Sequence, residues 1–116
     1  MNRRETGREG ERLARRHLER LGYRVLDLNH RTRIGELDIV CEDDRTIVFV
    51  EVKARTSTDF GEPAEAVDLR KQAKLRRLAE EYLIEHGLED HDARFDVLSV
   101  RLGAGDPVVE HLKGAF

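Results

Sequence analysis

Three charged residues inside two apolar stretches are the strongest chemical signal in this sequence. Asp38 lies in the stretch 35–40, and Glu51 and Lys53 lie in the stretch 47–53. An ion inside an apolar strand costs free energy unless it is paired or bound to a metal. Alternate residues of a strand share a face, so Glu51 and Lys53 project together, and Asp38 lies on the preceding strand, which is close enough in sequence to pair with theirs. Two carboxylates and an ammonium group are therefore expected to meet at one point.

This combination of groups suits metal-assisted hydrolysis of a phosphodiester bond. Mg²⁺ prefers oxygen ligands and is usually held by one or two carboxylates together with waters and substrate phosphate. Asp38 and Glu51 are the expected catalytic carboxylates and ligands of Mg²⁺ or Mn²⁺. Lys53 is the third expected catalytic residue, because a lysine beside the ion can orient or deprotonate the attacking water or offset charge on the phosphate. Glu36 shares the face of Asp38 and is either a supporting acid or a surface charge.

An exposed Glu–Lys pair is the alternative interpretation of Glu51 and Lys53. Such a pair on a solvated strand would contribute less than about 1 kcal/mol. The neighbouring residues argue against it, because Ile47 and Phe49 share the face of Glu51 and valines at 48, 50 and 52 occupy the other face. A strand that is apolar on both faces is typical of a buried position in a sheet.

A third carboxylate is expected from a helix at the amino terminus. A Thr-x-x-Glu capping box at residues 6–9 predicts a helix that begins there and ends at Leu21, before Gly22, the usual C′ residue. Glu11 lies at the amino-terminal end of the apolar side of this helix. That side consists of Leu13, Ala14, Leu18 and Leu21. Glu11 is therefore a candidate metal ligand.

Length and composition limit the classes of protein to which the chain can belong. Its 116 residues suffice for one core, so we expect a single domain over residues 1–116. No apolar segment approaches the ~20 residues that span a membrane, and the arginine-rich start lacks the apolar region of a signal peptide, so a cytoplasmic location is expected. Cys41 is the only cysteine, which excludes an internal disulfide and predicts a buried structural thiol.

Charge is distributed unevenly along the chain, although the net charge is only −3. Residues 1–33 contain ten arginines and five acidic residues, whereas residues 34–62 contain three basic and eight acidic residues. An acidic centre beside a basic helix suits a site where a metal offsets the acids and arginine contacts a phosphate backbone. A solvated helix surface with ion pairs at i,i+4 spacing explains the arginines equally well.

The periodicity of apolar residues predicts the element order αβββαββ, with a central mixed sheet packed between two helices. Asp68 is the expected N-cap of the second helix, and Gly87 is expected to end it. The predicted helices cover 6–21 and 69–86, and the predicted strands cover 23–29, 36–41, 46–54, 94–102 and 108–112.

The spacing of Asp38 and Glu51-Val52-Lys53 resembles the PD-(D/E)xK nuclease signature, with Leu37 in place of its proline, and the element order is that of the restriction-endonuclease-like fold. Glu11 matches an additional acid of archaeal Holliday-junction resolvases of this fold. Nearly the whole chain is similar to the small YraN family of bacterial endonuclease-like proteins. The similarity is carried by Gly10-Glu11, Asn29, 35–38, 49–55, Lys71-Gln72, 94–97 and 114–116.

These resemblances imply a metal-dependent, resolvase-like DNA endonuclease that hydrolyses branched or flap DNA in recombination or repair. They imply that Glu11, Asp38 and Glu51 bind Mg²⁺ or Mn²⁺ and that Lys53 positions the water or stabilises the transition state. A homodimer is expected, since resolvases of this fold cut two strands symmetrically. The alternative is a weak or inactive nuclease fold that serves as a DNA-binding or partner-binding module. An RNA-directed nuclease also stays open.

Three polar residues are candidate nucleic-acid contacts. Arg55, at the end of the third strand, has a fork of donors that suits a phosphate; alternatively it pairs with Asp59 or Glu62. Lys71 and Gln72 resemble the polar residues that several nucleases of this fold direct at the site, although exposed helix surfaces are normally polar as well. The five histidines show no spacing that is typical of a zinc site.

Overall fold

The predicted order of elements is confirmed by the computed structural model, which describes residues 2–56 and 67–116. In these residues the chain forms two helices and five strands of a mixed α/β architecture. The elements are α1 (Arg3–Arg20), β1 (Arg24–Arg31), β2 (Glu36–Asp43), β3 (Thr46–Thr56), α2 (Leu69–Glu85), β4 (Asp92–Leu102) and β5 (Val108–Leu112).

One mixed sheet contains the five strands in the order β1-β2-β3-β4-β5. β3 and β4 run parallel, and α2 lies between them in the chain. The other neighbouring strands are antiparallel. This pattern follows from connection length, because a parallel pair needs a long crossover whereas antiparallel strands are joined by short turns.

A hydrophobic cluster lies on each face of the sheet, and each contains one helix. Ala14 and Leu18 of α1 pack on one face, and Leu75, Leu78 and Tyr82 of α2 pack on the other. Valines 48 and 50 of β3 belong to the α1 side, whereas Ile47 and Phe49 belong to the α2 side. The prediction that this strand is buried on both faces is therefore confirmed.

The predicted start of the first helix is wrong by one turn. Asn2 is the N-cap, and its Oδ1 accepts a hydrogen bond from the Glu5 amide at 2.9 Å. Thr6 lies inside α1, where it is buried and donates from Oγ1 to the Asn2 carbonyl at 2.9 Å. A threonine in a helix interior commonly bonds back to the preceding turn in this way, so the Thr-x-x-Glu pattern does not mark a cap here. Leu21, expected to face inward, is 47% exposed because it is the C-cap residue.

The second helix has the predicted ends. The Asp68 carboxylate accepts a hydrogen bond from the Lys71 amide at 2.8 Å, and Gly87 follows the helix with φ of 66°. An aspartate cap and a left-handed glycine satisfy the unpaired groups at the two helix ends. In the residues described by the structure, neither helix combines the length and apolarity needed to cross a membrane.

A buried polar network ties β4 to the neighbouring elements. Asp96 is 0% exposed and accepts hydrogen bonds from Arg94 Nε at 2.9 Å and the Gly114 amide at 3.0 Å, and His111 Nε2 lies 2.8 Å from its Oδ2. Arg94 also donates to Asp43. Although burial favours the neutral acid, the bonds with His111 and Arg94 lower the pKa of Asp96 to about 2. The network therefore stays charged at neutral pH.

Cys41 is buried and free, as predicted. Burial raises the pKa of its thiol to about 12, so the thiol stays protonated and packs as a small apolar group.

Candidate metal centre

β2 and β3 separate at the point where the expected catalytic residues lie. The last pair between the two strands is Ile39 with Val50, whereas β2 continues beside β1 and β3 continues beside β4. Beyond that pair, the Val52 amide donates to Asp38 Oδ2 at 2.9 Å. A strand amide thus bonds a side chain at the gap where the ladder between β2 and β3 ends.

α1 lies directly against β3 next to this gap. A Cβ atom added at Gly10 would lie 2.4 Å from the Cβ of Ala54, so only glycine permits this approach of helix and strand. Glu11, the next residue, is thereby held at the gap. The sequence places Glu11 on the inward side of its helix, and the glycine before it explains how the carboxylate comes close enough to reach β2.

Three carboxylates converge at the gap. Glu11, Glu36 and Asp38 each offer an oxygen, and these oxygens all lie within 4.8 Å of one another. Two oxygens bound to one Mg²⁺ ion are at most about 4.2 Å apart. Side-chain movements of a few tenths of an ångström would therefore bring the three oxygens into one coordination sphere. The structure places Glu36 among the acids, a role that the sequence left open.

Glu51 lies next to Asp38, and a hydrogen bond between the two carboxyl groups shifts the pKa of each. Burial raises the pKa of Asp38 to about 8, and the hydrogen bond with Glu51 and its negative charge add to this shift. Burial also favours neutral Glu51, but the hydrogen bond with Asp38 and the charge of Lys71 hold the pKa of Glu51 below its ordinary value. Without a metal, the pair therefore retains a proton at pH values where an ordinary aspartate is ionised.

The second oxygen of Glu51 faces a cation from α2, the helix on the face of the sheet opposite α1. Lys71 Nζ of α2 lies 2.9 Å from Glu51 Oε2, and the Glu51 residue is 8% exposed. Among the residues described, Glu51 Oε2 has no donor with hydrogen-bond geometry. The contact is therefore an ion pair, in which the Lys71 ammonium compensates the charge of this buried oxygen.

The other expected site residues lie close to this cluster or at its edge. Lys53 is half-buried on β3, and its charge also stabilises the Glu51 carboxylate. Arg55 is half-buried near the end of β3, and both of its suggested partners lie outside the described residues. Gln72 Nε2 donates to the Val67 carbonyl at 2.7 Å, which holds this amide at the start of α2. The structure thus brings Lys53 and Lys71 to the acids, and nucleic-acid contacts for Arg55, Lys71 and Gln72 stay predictions.

Comparison with known proteins identifies the family. The protein-family model described as "Uncharacterised protein family UPF0102" matches residues 10–100 of the chain.

The chain belongs to this family.

Full-length relatives support the assignment to UPF0102. The chain is 46% identical over 112 residues to a UPF0102 protein of Alkaliphilus oremlandii, an alignment that covers 95% of this chain and 96% of the relative. It is 50% identical over 111 residues to one of Frankia casuarinae, covering 95% and 94%. It is 48% identical over 118 residues to one of Moorella thermoacetica, covering 100% and 98%. The family expected from the sequence is therefore confirmed. Because its description states no activity, the function must be inferred from the chemistry of the site.

Two features of this UPF0102 site are not evident from the charge pattern of the sequence. Asn29 has φ of 50° in the middle of β1, between the pairs Leu28–Ile39 and His30–Leu37, which puts it opposite Asp38. Asparagine tolerates this left-handed conformation better than most residues, so its presence in a strand is a weak signal of a special backbone position. Arginines of α1 also border a groove that Glu11 and Glu36 line as well.

Proposed function

We propose that this protein is a divalent-metal-dependent endonuclease that hydrolyses phosphodiester bonds in DNA. The observation that carries the proposal is the convergence of Glu11, Glu36 and Asp38 at the gap between β2 and β3, with Glu51 bonded to Asp38. Lys53 lies two residues beyond Glu51 on the same strand. Several acids and a lysine at one interruption of a sheet meet the requirements of hydrolysis at phosphorus.

The donor set fits Mg²⁺ or Mn²⁺. All the candidate ligands are carboxylate oxygens, which hard divalent cations prefer, and the described residues offer no histidine or cysteine to this cluster. Glu11 and Asp38 would hold the ion together with Glu36 or Glu51. Glu51 Oε2 lies 2.9 Å from Lys71 Nζ, so it would join the ion only with the lysine displaced. A bound ion would supply Lewis-acid polarisation of a phosphate oxygen and activation of a water.

The protein side chains prepare the site for this chemistry. Asp38 must release its proton to become a ligand, because its pKa of about 8 keeps it largely neutral at neutral pH without a metal. Glu51 stays charged through Lys71 and Lys53 and can accept a proton from water or orient it. Lys53, whose charge acts on Glu51, would offset the negative charge that develops on the phosphate.

The substrate proposal follows from the resemblance to resolvases of the restriction-endonuclease-like fold. Branched or flap DNA formed in recombination or repair in the cytoplasm is the proposed substrate, and a homodimer would place two sites on two strands. The element order αβββαββ and the mixed sheet between two helices agree with that fold.

Cleavage assays on defined DNA test the proposal. Purified protein is incubated with labelled junction, flap and linear DNA plus Mg²⁺ or Mn²⁺, beside Asp38→Ala and Lys53→Ala. Asp90→Ala is the matched control, because the Asp90 side chain is 85% exposed and lies outside the site. Activity is expected in the wild type and the control and should be lost in both site variants. Cleavage that survives in both site variants would be that of a contaminant and would contradict the proposal.

A binding module without turnover is the second candidate function, and one observation favours it. The hydrogen bond between Asp38 and Glu51 and the ion pair with Lys71 compensate the buried acids without a metal. Calorimetric titration with Mn²⁺, with and without DNA, separates the two functions. Absence of metal binding at millimolar Mn²⁺ would favour the binding module.

A further inference from the structure

We propose that the arginines on the amino-terminal half of α1 form a phosphate-binding groove that guides one DNA strand to the acidic cluster. This arginine groove is bordered by Arg3, Arg4 and Arg8 of α1 and by Asn29 and Arg31 of β1. Glu11 and Glu36, two of the clustered acids, also line it. The groove would define the path of the substrate strand and so rests on the proposed function. Binding of DNA to the groove can nevertheless be measured without hydrolysis.

The charges of the three helix arginines are available to a ligand. Within the described residues, Arg3, Arg4 and Arg8 make no ion pair or hydrogen bond through their side chains. By contrast, Arg12 and Arg15 on the same helix pair with Glu9 and Glu19. The interpretation of a helix surface with ion pairs thus accounts for Arg12 and Arg15 but not for the arginines in the groove. Exposed guanidinium groups without carboxylate partners suit phosphate recognition.

Helix geometry aligns these arginines with the acids. Arg4, Arg8 and Glu11 lie at i, i+4 and i+7 and therefore share one face of α1. At 1.5 Å per residue, Arg8 is about 5 Å and Arg4 about 10 Å from Glu11 along the helix axis. A strand whose scissile phosphate lies at the acids would thus meet the arginines at the phosphates next to it.

The groove has open space beside Gly7, one of the residues that line it. Gly7 lies between Arg4 and Arg8, and a Cβ atom added there would have no other atom within 4 Å. Across the groove, Arg31 Nε donates to Glu36 Oε2 at 3.1 Å, which marks the boundary between the basic groove and the acidic cluster. The charge thus changes from positive to negative along one continuous surface, as is expected where a metal must sit beside the polyanion.

Fluorescence anisotropy with labelled flap DNA in EDTA tests the groove without any hydrolysis. The test variant is Arg4→Gln combined with Arg8→Gln. The matched control is Arg16→Gln combined with Arg20→Gln, because these arginines have the same i,i+4 spacing on the same helix but border a different groove, beside Pro107 and Val109. Both variants lose the same net charge, so a general effect of charge would appear equally in the two.

The groove predicts a specific loss for the test variant. Each phosphate contact contributes about 0.9 to the slope of log affinity against log salt on duplex DNA. Losing two contacts should reduce the slope by roughly 2 and the affinity by roughly 50-fold at about 0.1 M salt, whereas the control should change less than about threefold. Circular dichroism spectra and melting temperatures like those of the wild type would show that both variants fold.

Three outcomes would overturn the groove: equal losses of DNA affinity in the two variants, an unchanged salt slope in the test variant, or a wild type that does not bind DNA. Binding of the wild type only to RNA of the same sequence is a case of the third outcome. Loss of affinity in the test variant of a wild type that never cleaves DNA would support the groove while the nuclease assignment fails. Cleavage by a test variant of undiminished affinity would support the nuclease and reject the groove.

Discussion

Gly10 is the position where one added methyl group tests both the docking of α1 and the assembly of the acidic cluster. In Gly10→Ala, the new Cβ would lie 2.4 Å from the Ala54 Cβ, whereas ordinary contact begins at 3.4 Å. The two backbones carry these atoms rigidly, so α1 must move away from β3 by about 1 Å. Glu11, the adjacent residue, must move with it.

The expected magnitudes follow from this displacement. Overpacking costs about 1–3 kcal/mol, and alanine in a helix interior recovers about 0.5–1 kcal/mol relative to glycine. The free energy of unfolding should therefore fall by about 1–2 kcal/mol, which is about 4–8 °C in Tm for a chain of this size. Metal ligands tolerate errors of only about 0.2 Å, so a shift of Glu11 should weaken Mn²⁺ binding roughly 10- to 100-fold.

Thermal unfolding and Mn²⁺ titration of Gly10→Ala are the assays, with Gly7→Ala as the matched control in the same helix. A Cβ atom at Gly7 meets no other atom within 4 Å, so this variant should gain about 0.5–1 kcal/mol and bind Mn²⁺ like the wild type. If Gly10→Ala melts at or above the wild-type temperature and binds Mn²⁺ with unchanged affinity, the close docking of α1 and the role of Glu11 are both refuted.

Three further predictions concern the ionised groups. The pKa of Asp38 is raised to about 8 in the folded state, so the free energy of unfolding of the metal-free protein should decrease as the pH rises from about 4 to 8, by up to about 1.4 kcal/mol per pH unit. Asp38→Asn should flatten this slope in urea unfolding. Asp96→Asn breaks a buried charged network and should cost about 3–5 kcal/mol in urea unfolding, against less than about 0.5 kcal/mol for the exposed Asp90→Asn; equal costs would refute the network. Lys71→Ala removes the cation at Glu51, so the Tm of the metal-free variant should fall, and Mn²⁺ should raise the Tm of the variant more than that of the wild type. Equal rises of Tm in the two proteins would contradict a counter-ion role for Lys71.

Local patterns were sufficient for most of the fold. β3 has apolar residues on both of its faces, and this pattern alone predicts a central strand between two layers. Asp68 and Gly87 mark the ends of α2 because a cap depends on residues within one turn. The start of α1 was mispredicted because Asn2 and Thr6 both offer cap chemistry, and local sequence does not decide which one the packed helix uses.

The site was predictable only where its chemistry depends on residue type and strand spacing. Asp38, Glu51 and Glu11 carry that signal. The inclusion of Glu36 depends on where β2 and β3 separate, and no short pattern encodes the end of a ladder. The proximity of Lys71 to Glu51 depends on how α2 crosses the sheet, which is a property of the assembled layers rather than of either segment.

The most direct test of the metal centre is the anomalous scattering of a crystal soaked in millimolar Mn²⁺ and measured near the manganese edge. We expect one anomalous peak within bonding distance of Glu11, Asp38 and at least one of Glu36 and Glu51, with the Lys71 ammonium displaced from Glu51. Well-ordered carboxylates with no anomalous peak between them, or a peak only elsewhere on the surface, would contradict a metal-dependent nuclease site in this protein.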